Sequence, residues 1–257
     1  MYKVVSNPNM DHGHADNGTF VGTSGWYYDW NREKNLDWYI ARSGLNSVEL
    51  NASFYRFPFR EMVRTWAAKG SGLRWSVKAH RSITHHHRFD ELAVERFETF
   101  SERFGPMDHL IDFYLFQAPP GFCDVDAVLG FSKEVGLGRR MAFEVRNVDL
   151  LMDDELCAEL MEEMTVVSVD SPTARVRILS TDPVYMRMHG RDDWYVHDYS
   201  EEELDEVAAA IYSKRSGDAY IFFNNDRMLR NARAMAERMM VMMGEGEPDL
   251  TCPIPPQ

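Results

Sequence analysis

At 257 residues the chain suits one large domain or two small ones and can bury a full core. Its content, 44% apolar and 27% charged, excludes a disordered chain, and no apolar run approaches the roughly 18–20 residues of a membrane span. The net charge of 28 − 41 = −13 disfavours non-specific polyanion binding but does not forbid a local basic groove.

No charged-then-apolar signal pattern opens the sequence, so the cytoplasm is the default compartment. Cys123, Cys157 and Cys252 are an odd set without a close pair, which argues against disulfides and against a Cys-based zinc site. Residues 1–18 read as a flexible leader, in which Asp11-His12-Gly13-His14 is a solvated tail rather than a metal site.

A first strand over 19–24 ends in Gly25 and the aromatic run Trp26-Tyr27-Tyr28, and a short helix over 36–42 leads into a strand over 45–51. There Val48 and Leu50 alternate with Glu49 and Asn51, so aliphatics hold one face while a carboxylate and an amide share the other. A charge at the end of a buried strand has to be paired, exposed or used. After Pro58 a helix sets Met62, Val63, Trp66 and Ala67 on one face and stops at Gly70. The third strand, 73–79, finishes at Lys78 and His80 and is followed by Ile83-Thr84-His85-His86-His87. Asp90 caps the next helix, whose Ala93, Phe97, Phe100 and Phe104 recur at helical spacing. Strand four, 109–116, is closed by Gln117-Ala118-Pro119-Pro120. A helix over 125–135 and strand five, 141–145, follow, with Glu144 and Arg146 on one side.

The pattern continues with a helix over 153–164 and strand six over 165–169, ending at Asp170. Residues 171–182 are too short and broken for a crossover helix, and form either a degenerate unit or a lid-like loop. Strand seven, 184–188, ends in His189-Gly190-Arg191. Ser200 and Glu203 make a capping box for the helix bearing Leu204, Val207, Ala208 and Ile211. Strand eight, 219–223, ends in Asn224-Asn225-Asp226. The last helix carries Met228, Ala232, Met235, Met239 and Met243 on one stripe, read as core filler, and 245–257 read as a flexible tail. Strands and helices alternating eight times point to an α/β fold, a (β/α)8 TIM-type barrel over 19–244, somewhat distorted, with one reduced unit near 171–182. An open doubly wound sheet is disfavoured because Gly22-Thr23-Ser24-Gly25 has the wrong spacing for a dinucleotide-binding turn. In such a barrel the working site lies at the carboxyl ends of the strands.

Glu49, Glu144 and Asp170 each end a different strand, and with His189 they are the residue types that bind a divalent cation or do acid–base work. The structural alternative pairs Glu144 with Arg146, and Glu49 with Lys78 from the neighbouring strand. Lys78 would be a Schiff-base amine if burial depressed its pKa; beside carboxylates, the expectation is a protonated lysine that binds an anion. Glu49, Lys78, Glu144 and His189 are the catalytic candidates. Arg187 and Arg191 flank His189 as an anion-gripping cluster. Asn51, Gln117, Asn224 and Asn225 supply amides suited to hydroxyl-rich ligands, and Trp26, Tyr55, Trp194 and Tyr195 can stack on a sugar or base. Together with His85, Arg146 and Asp170 these are the substrate-binding candidates. No cofactor is expected. A tightly held metal is not expected either, because a lysine in the same cluster competes for the carboxylates; a weakly bound divalent cation stays open. Glu49 and Glu144 are expected to serve a ligand rather than the fold, so that neutralising either leaves stability nearly unchanged.

Seven motifs in order resemble the YecE-like family, a widespread domain of unknown function. They are Gly22-Thr23-Ser24-Gly25-Trp26; Val48-Glu49-Leu50-Asn51 with Ser53-Phe54-Tyr55; Ser76-Val77-Lys78 running to Ile83-Thr84-His85; Phe116-Gln117-Ala118-Pro119-Pro120; Phe143-Glu144-Val145-Arg146; Arg187-Met188-His189-Gly190-Arg191 with Trp194-Tyr195; and Phe222-Phe223-Asn224-Asn225-Asp226. The resemblance implies a distorted TIM-type barrel akin to a superfamily that includes sugar isomerases and an apurinic endonuclease, and it implies no settled activity. The sequence departs from the family pattern in a short loop between Tyr28 and Leu36, in His80 where a proline is common, in Asn147-Val148-Asp149, and in the reduced segment after Asp170.

Three functions follow as expectations. The first is an enzyme acting on a small polar substrate, sugar-like or phosphorylated and so anionic, by acid–base chemistry at the barrel mouth. The second is a nucleic-acid enzyme or binder using the aromatics with Arg56, Arg60, Arg81, Arg88 and Arg191, which the net charge disfavours. The third is a non-catalytic ligand-binding barrel, in which the acids are all paired and the mouth is closed. No membrane partner is expected.

Overall fold

The computed structural model describes residues 17–244. Residues 1–16 of the expected leader, with Asp11 to His14, lie outside the described residues, as do the tail 245–257 and Cys252. Among the described residues there are ten strands: β1 (Thr19–Thr23), β2 (Ser47–Leu50), β3 (Arg74–Lys78), β4 (Ile111–Gln117), β5 (Met141–Glu144), β6 (Thr165–Val166), β7 (Ser168–Ser171), β8 (Ala174–Arg177), β9 (Val184–Met188) and β10 (Ala219–Phe223). Their order across the sheet is β6-β5-β4-β3-β2-β1-β10-β9-β7-β8, and every pairing is parallel except β7 with β8. Parallel neighbours need crossovers, and the helices α1 (Leu36–Arg42), α2 (Arg60–Lys69), α3 (Glu91–Phe104), α4 (Val125–Val135), α5 (Val148–Leu151), α6 (Asp154–Glu163), α7 (Glu201–Lys214) and α8 (Met228–Met242) supply most of them.

The sheet curls until its two ends share one piece of chain. β6 pairs with β5 and β7 pairs with β9, and Val167 alone separates them, its amide donating to the Phe143 carbonyl at 2.9 Å. The sixth strand read from the sequence is therefore one extended segment that changes partner halfway. The reduced unit after it is an antiparallel hairpin: Val169 pairs with Arg177 and Ser171 with Ala174, and the Asp170 carboxylate accepts from the Val176 amide at 2.8 Å. No helix among the described residues is long and apolar enough to cross a membrane.

Capping chemistry sets the helix ends. The Asp90 side chain accepts from the Ala93 amide at 2.9 Å, and Ser200 and Glu203 close both arms of their capping box. Ala93, Phe97, Phe100 and Phe104 are all buried, as the helical spacing requires. The α2 stripe differs from expectation: only Val63 is buried there, and Met62 is exposed. Met228, Ala232, Met235 and Met239 bury their stripe of α8 against the sheet.

Inside the sheet the side chains stack in layers from the amino to the carboxyl ends of the strands. Arg74 pairs with Asp112 beneath Tyr220. Above them Phe113, Tyr185 and Phe222 pack with ring centroids 5.1 Å apart for both Phe113–Tyr185 and Tyr185–Phe222. Gly22 lies against Ser47 so closely that a Cβ there would overlap the Ser47 carbonyl, which is why β1 and β2 can carry their polar ends side by side. The next layer up is charged.

Candidate active site

Arg187 is the hub of that layer. It sits on β9, fully buried, and its guanidinium spans two strand ends on the far side of the barrel. Nε and Nη2 donate to the two Glu49 oxygens at 3.0 and 2.7 Å, and Nη1 donates to Glu144 Oε2. Glu49 also accepts from Ser24 Oγ and from the Tyr185 hydroxyl, both at 2.8 Å. Burial alone would raise both carboxyl pKa values. For Glu49 the charge and hydrogen bonds of Arg187 outweigh it; for Glu144 the charges of Arg187 and Arg146 do so, and its pKa falls well below the ordinary range. Both acids are therefore anions held by a buried cation.

Glu144 carries the network outward. Its Oε1 accepts from Gln117 Nε2 at 3.1 Å, lies 3.0 Å from His189 Nε2 and 3.2 Å from Arg146 Nε. Burial, the largest influence, and the nearby arginines hold the His189 pKa at about 4 against the pull of Glu144. The imidazole is thus neutral at pH 7. A carboxylate can only accept, so the proton is assigned to Nε2, and Nδ1 is a bare acceptor with no partner among the described residues.

Lys78 ends β3 on the other side of Gln117. Its Nζ donates to Gln117 Oε1 at 2.6 Å and lies 4.5 Å from the centroid of Phe54. Burial first, and then the charge of Arg187, draw its pKa down to about 7, although Glu144 and Glu49 pull the other way. The pairing that the sequence offered as the structural alternative, Glu49 with Lys78, is corrected here: Arg187, not Lys78, takes up both carboxylates. The same pairing argues against the expectation that neutralising Glu49 or Glu144 leaves stability nearly unchanged.

Over the mouth, Trp194 and Tyr195 close on Arg146, whose guanidinium stacks 4.0 Å from the Trp194 ring and donates to the Tyr195 hydroxyl at 2.6 Å. Arg146 Nη1 is buried without a partner among the described residues. Tyr195 holds a left-handed φ of 70°, pinned by its amide to the His189 carbonyl at 2.8 Å and by its carbonyl to the Asp226 amide at 2.7 Å. Beside it, a cavity of about 540 Å³ lies between the loops after β1 and β10 and is walled by Tyr28, Trp30, Tyr195, Asn224, Asp226 and Arg227, among others. That volume suits a small ligand. It meets the charged layer through Tyr28, whose hydroxyl donates to the Ser24 carbonyl at 2.9 Å, and not through Lys78.

The structure thus gathers Glu49, Lys78, Gln117, Glu144, Arg146, Arg187 and His189 at the carboxyl ends of the strands, with Tyr195 and Asn224 on the rim. Asn51 lies at the end of β2 with its Oδ1 buried and unpartnered among the described residues, and His85 sits in a π-helical turn, Ser82–His86, edge-on to Phe54. Tyr55 is on the surface, 69% exposed. Other expected residues go elsewhere. Trp26 packs edge-on against Trp66 and Trp75 at 5.8 Å in the helix layer. Asp170 and Arg191 pair with each other at 2.9 Å, and Arg191 continues to Glu206 on α7, so this pair ties the barrel to a helix. Asn225 braces loops through the His197 carbonyl and Asn231. Arg187 is spent on the carboxylates and not free to grip an anion. Ser24, Phe54, Tyr28 and Tyr185 were not anticipated; Tyr185 was readable, since Tyr185, Arg187 and His189 alternate along one strand face.

Among the described residues no three His, Cys, Asp or Glu side chains gather as a metal-ligand set. Of the arginines offered for a polyanion, Arg56, Arg60, Arg81 and Arg88 are exposed and Arg191 is buried.

A curled parallel sheet wrapped by helices, with its polar cluster at the carboxyl ends of the strands, defines a TIM-barrel-like α/β protein. Residues 20–257 match the family described as "Protein of unknown function DUF72", and the chain belongs to that family, the YecE-like one its motifs resemble. A DUF72 family protein of Thermotoga maritima MSB8 is 24% identical, with a TM-score of 0.73 over 85% of this chain and 98% of that one. One from Enterococcus faecalis V583 is 19% identical, with a TM-score of 0.72 over 93% of this chain and 99% of that one. D-psicose 3-epimerase from Clostridium cellulolyticum H10, solved with D-tagatose, is 12% identical, with a TM-score of 0.52 over 88% of this chain and 99% of that one. Comparison with curated proteins gives no match. At these identities the likeness to the solved structures carries the fold alone.

Proposed function

We propose that this barrel is an enzyme that binds a small polar, anionic substrate, sugar-like or phosphorylated, at the strand ends and works on it by acid–base chemistry. The observation that carries this reading is the charge count of the buried cluster. Lys78, Arg146 and Arg187 face Glu49 and Glu144, which leaves one positive charge in excess when Lys78 is protonated. A buried charge without a counter-charge is costly unless something binds it. Three polar atoms lack partners among the described residues near it: His189 Nδ1, Arg146 Nη1 and Asn51 Oδ1. An anionic group satisfies the excess, Lys78 and the neutral His189 supply a proton donor and an acceptor, and Gln117 and Glu144 link them. The epimerase neighbours share the barrel; the reading itself rests on this chain's residues.

The test is a melting series with sugar phosphates, sugar acids and the matching neutral sugars, followed by NMR assay of any stabilising compound for turnover. At 100 times its Kd a ligand adds about 2.7 kcal/mol. That raises Tm by roughly 5–11 °C in a domain of this size. Anionic compounds should stabilise and neutral ones should not, and Lys78→Met should remove the effect. Equal stabilisation by neutral sugars, or none by any compound, would refute the reading.

A second reading has an observation of its own. Glu49, Glu144 and Asp170 are all paired, one of the two features expected of a non-catalytic ligand-binding barrel, while the cavity on the rim is against the other, a closed mouth. Stabilisation without turnover of any stabilising compound would favour it.

A further inference from the structure

We propose that the substrate of this site is a small carbonyl compound bearing an anionic group, and that the ε-amine of Lys78 attacks its carbonyl carbon to form an imine. The proposal rests on the acid–base reading above and adds a covalent step and a substrate class to it.

An imine-forming lysine needs an amine that is removed from water, free of a carboxylate partner, and close to groups that move protons. Lys78 meets each condition by geometry. It is 8% exposed at the end of β3. Among the described residues its one hydrogen-bond partner is neutral, the Gln117 carbonyl oxygen at 2.6 Å, and the Phe54 ring covers it at 4.5 Å. The two carboxylates that would otherwise hold it as an ammonium are bound by Arg187. The charged groups acting on it are Arg187, Glu144, Glu49 and Arg146, and His85 stands on the neighbouring turn. Their combined effect with burial, a pKa of about 7, leaves a large share of free amine at neutral pH. Arg146, with its unpartnered Nη1, supplies the anion's counterpart, and the iminium formed on Lys78 restores the one positive charge in excess.

The step balances without an added reagent. The amine nitrogen attacks the carbonyl carbon, a C–N bond forms, and the carbonyl pair moves to oxygen. Counted from the ammonium, the nitrogen gives up two protons, one before attack and one after, and the oxygen takes up two and leaves as water, breaking the C–O bond. Overall an ammonium and a carbonyl give an iminium and water, with nothing oxidised or reduced. The protons that leave the nitrogen are the ones that depart with the water, so no outside base is required for the overall balance.

The test traps the full-length chain with sodium cyanoborohydride at pH 7 in the presence of pyruvate, dihydroxyacetone phosphate or neutral dihydroxyacetone, and locates adducts by peptide mass. An exposed lysine has roughly a thousandfold less free amine at pH 7 than one with a pKa near 7. The expected result is therefore a reduced adduct on Lys78 in excess over the exposed Lys34 and Lys69, by at least about tenfold with an anionic compound. Melting curves with the same compounds run alongside. Stabilisation by an anionic compound with no adduct on Lys78 overturns the imine and leaves the acid–base reading standing. Neither stabilisation nor adduct overturns both. Equal trapping of dihydroxyacetone overturns the anionic half. Because the parent chain is trapped, no variant has to fold.

Discussion

Replacing Glu49 with glutamine isolates the buried ion network. Glutamine keeps the side chain's shape but removes the charge and replaces one acceptor oxygen with an NH2 donor. One of the two Arg187 hydrogen bonds to this side chain is then lost, and the hydroxyl on the NH2 side, Ser24 or Tyr185, has to accept instead of donate. Arg187 is left fully buried with Glu144 as its remaining anion, while Lys78 and Arg146 stay nearby. Removing one partner of a buried pair costs about 3–5 kcal/mol. In a domain of this size 1 kcal/mol moves Tm by roughly 2–4 °C, so the drop at pH 7 should be about 6–20 °C. The pH dependence has a definite sign. The Glu49 pKa is lowered on folding, so its stabilisation is present above the unfolded value of 4.5 and is lost as pH falls through the folded value. Calorimetry of parent and variant from pH 8 to pH 3 should show the gap narrowing at the acid end. A gap of only a few degrees, unchanged across that range, would refute the pairing argument.

Lys78→Met should raise Tm at pH 6. The parent's lysine is lowered from 10.5 to about 7, so it destabilises the fold below pH 7 and this is relieved between pH 7 and 10.5; the gain should be at most roughly 5 kcal/mol and fade by pH 10. A gain that is absent, or that grows with pH, would contradict the lowered pKa. Gly22→Ala drives a methyl into the Ser47 carbonyl and should cost about 1–3 kcal/mol, read as a lower urea midpoint; a neutral result would mean that β1 and β2 are not in this register. Asp90→Ala removes the cap of α3 and should lower Tm by roughly 2–4 °C, the worth of about 1 kcal/mol.

The order of elements was legible because apolar spacing decides it locally. The phenylalanine stripe of α3, the capping box of α7 and the strands over Val184–Met188 and Ala219–Phe223 are where periodicity puts them. The break at Val167 was not legible, since a strand that changes partner has the same alternation as one that does not. At the site, strand-end position put Glu49, Lys78, Gln117, Glu144 and His189 at one end of the sheet. The pairing could not be read. Lys78 neighbours Glu49 through β2 and β3, whereas Arg187 reaches Glu49 across the barrel, 138 residues away in sequence. Asp170 and Arg191 look like site residues by the same strand-end rule, and only the placement of α7 diverts them.

The most direct measurement is the titration of the Lys78 ε-amine, followed by NMR on lysine-labelled protein with Lys78→Met to assign the signal. Burial and Arg187 set the expected midpoint near 7, and dihydroxyacetone phosphate or a sugar phosphate should shift it. A midpoint near 10.5, indifferent to every anionic compound, would mean that Lys78 is an ordinary solvated lysine and that the strand-end cluster is not a site for acid–base chemistry.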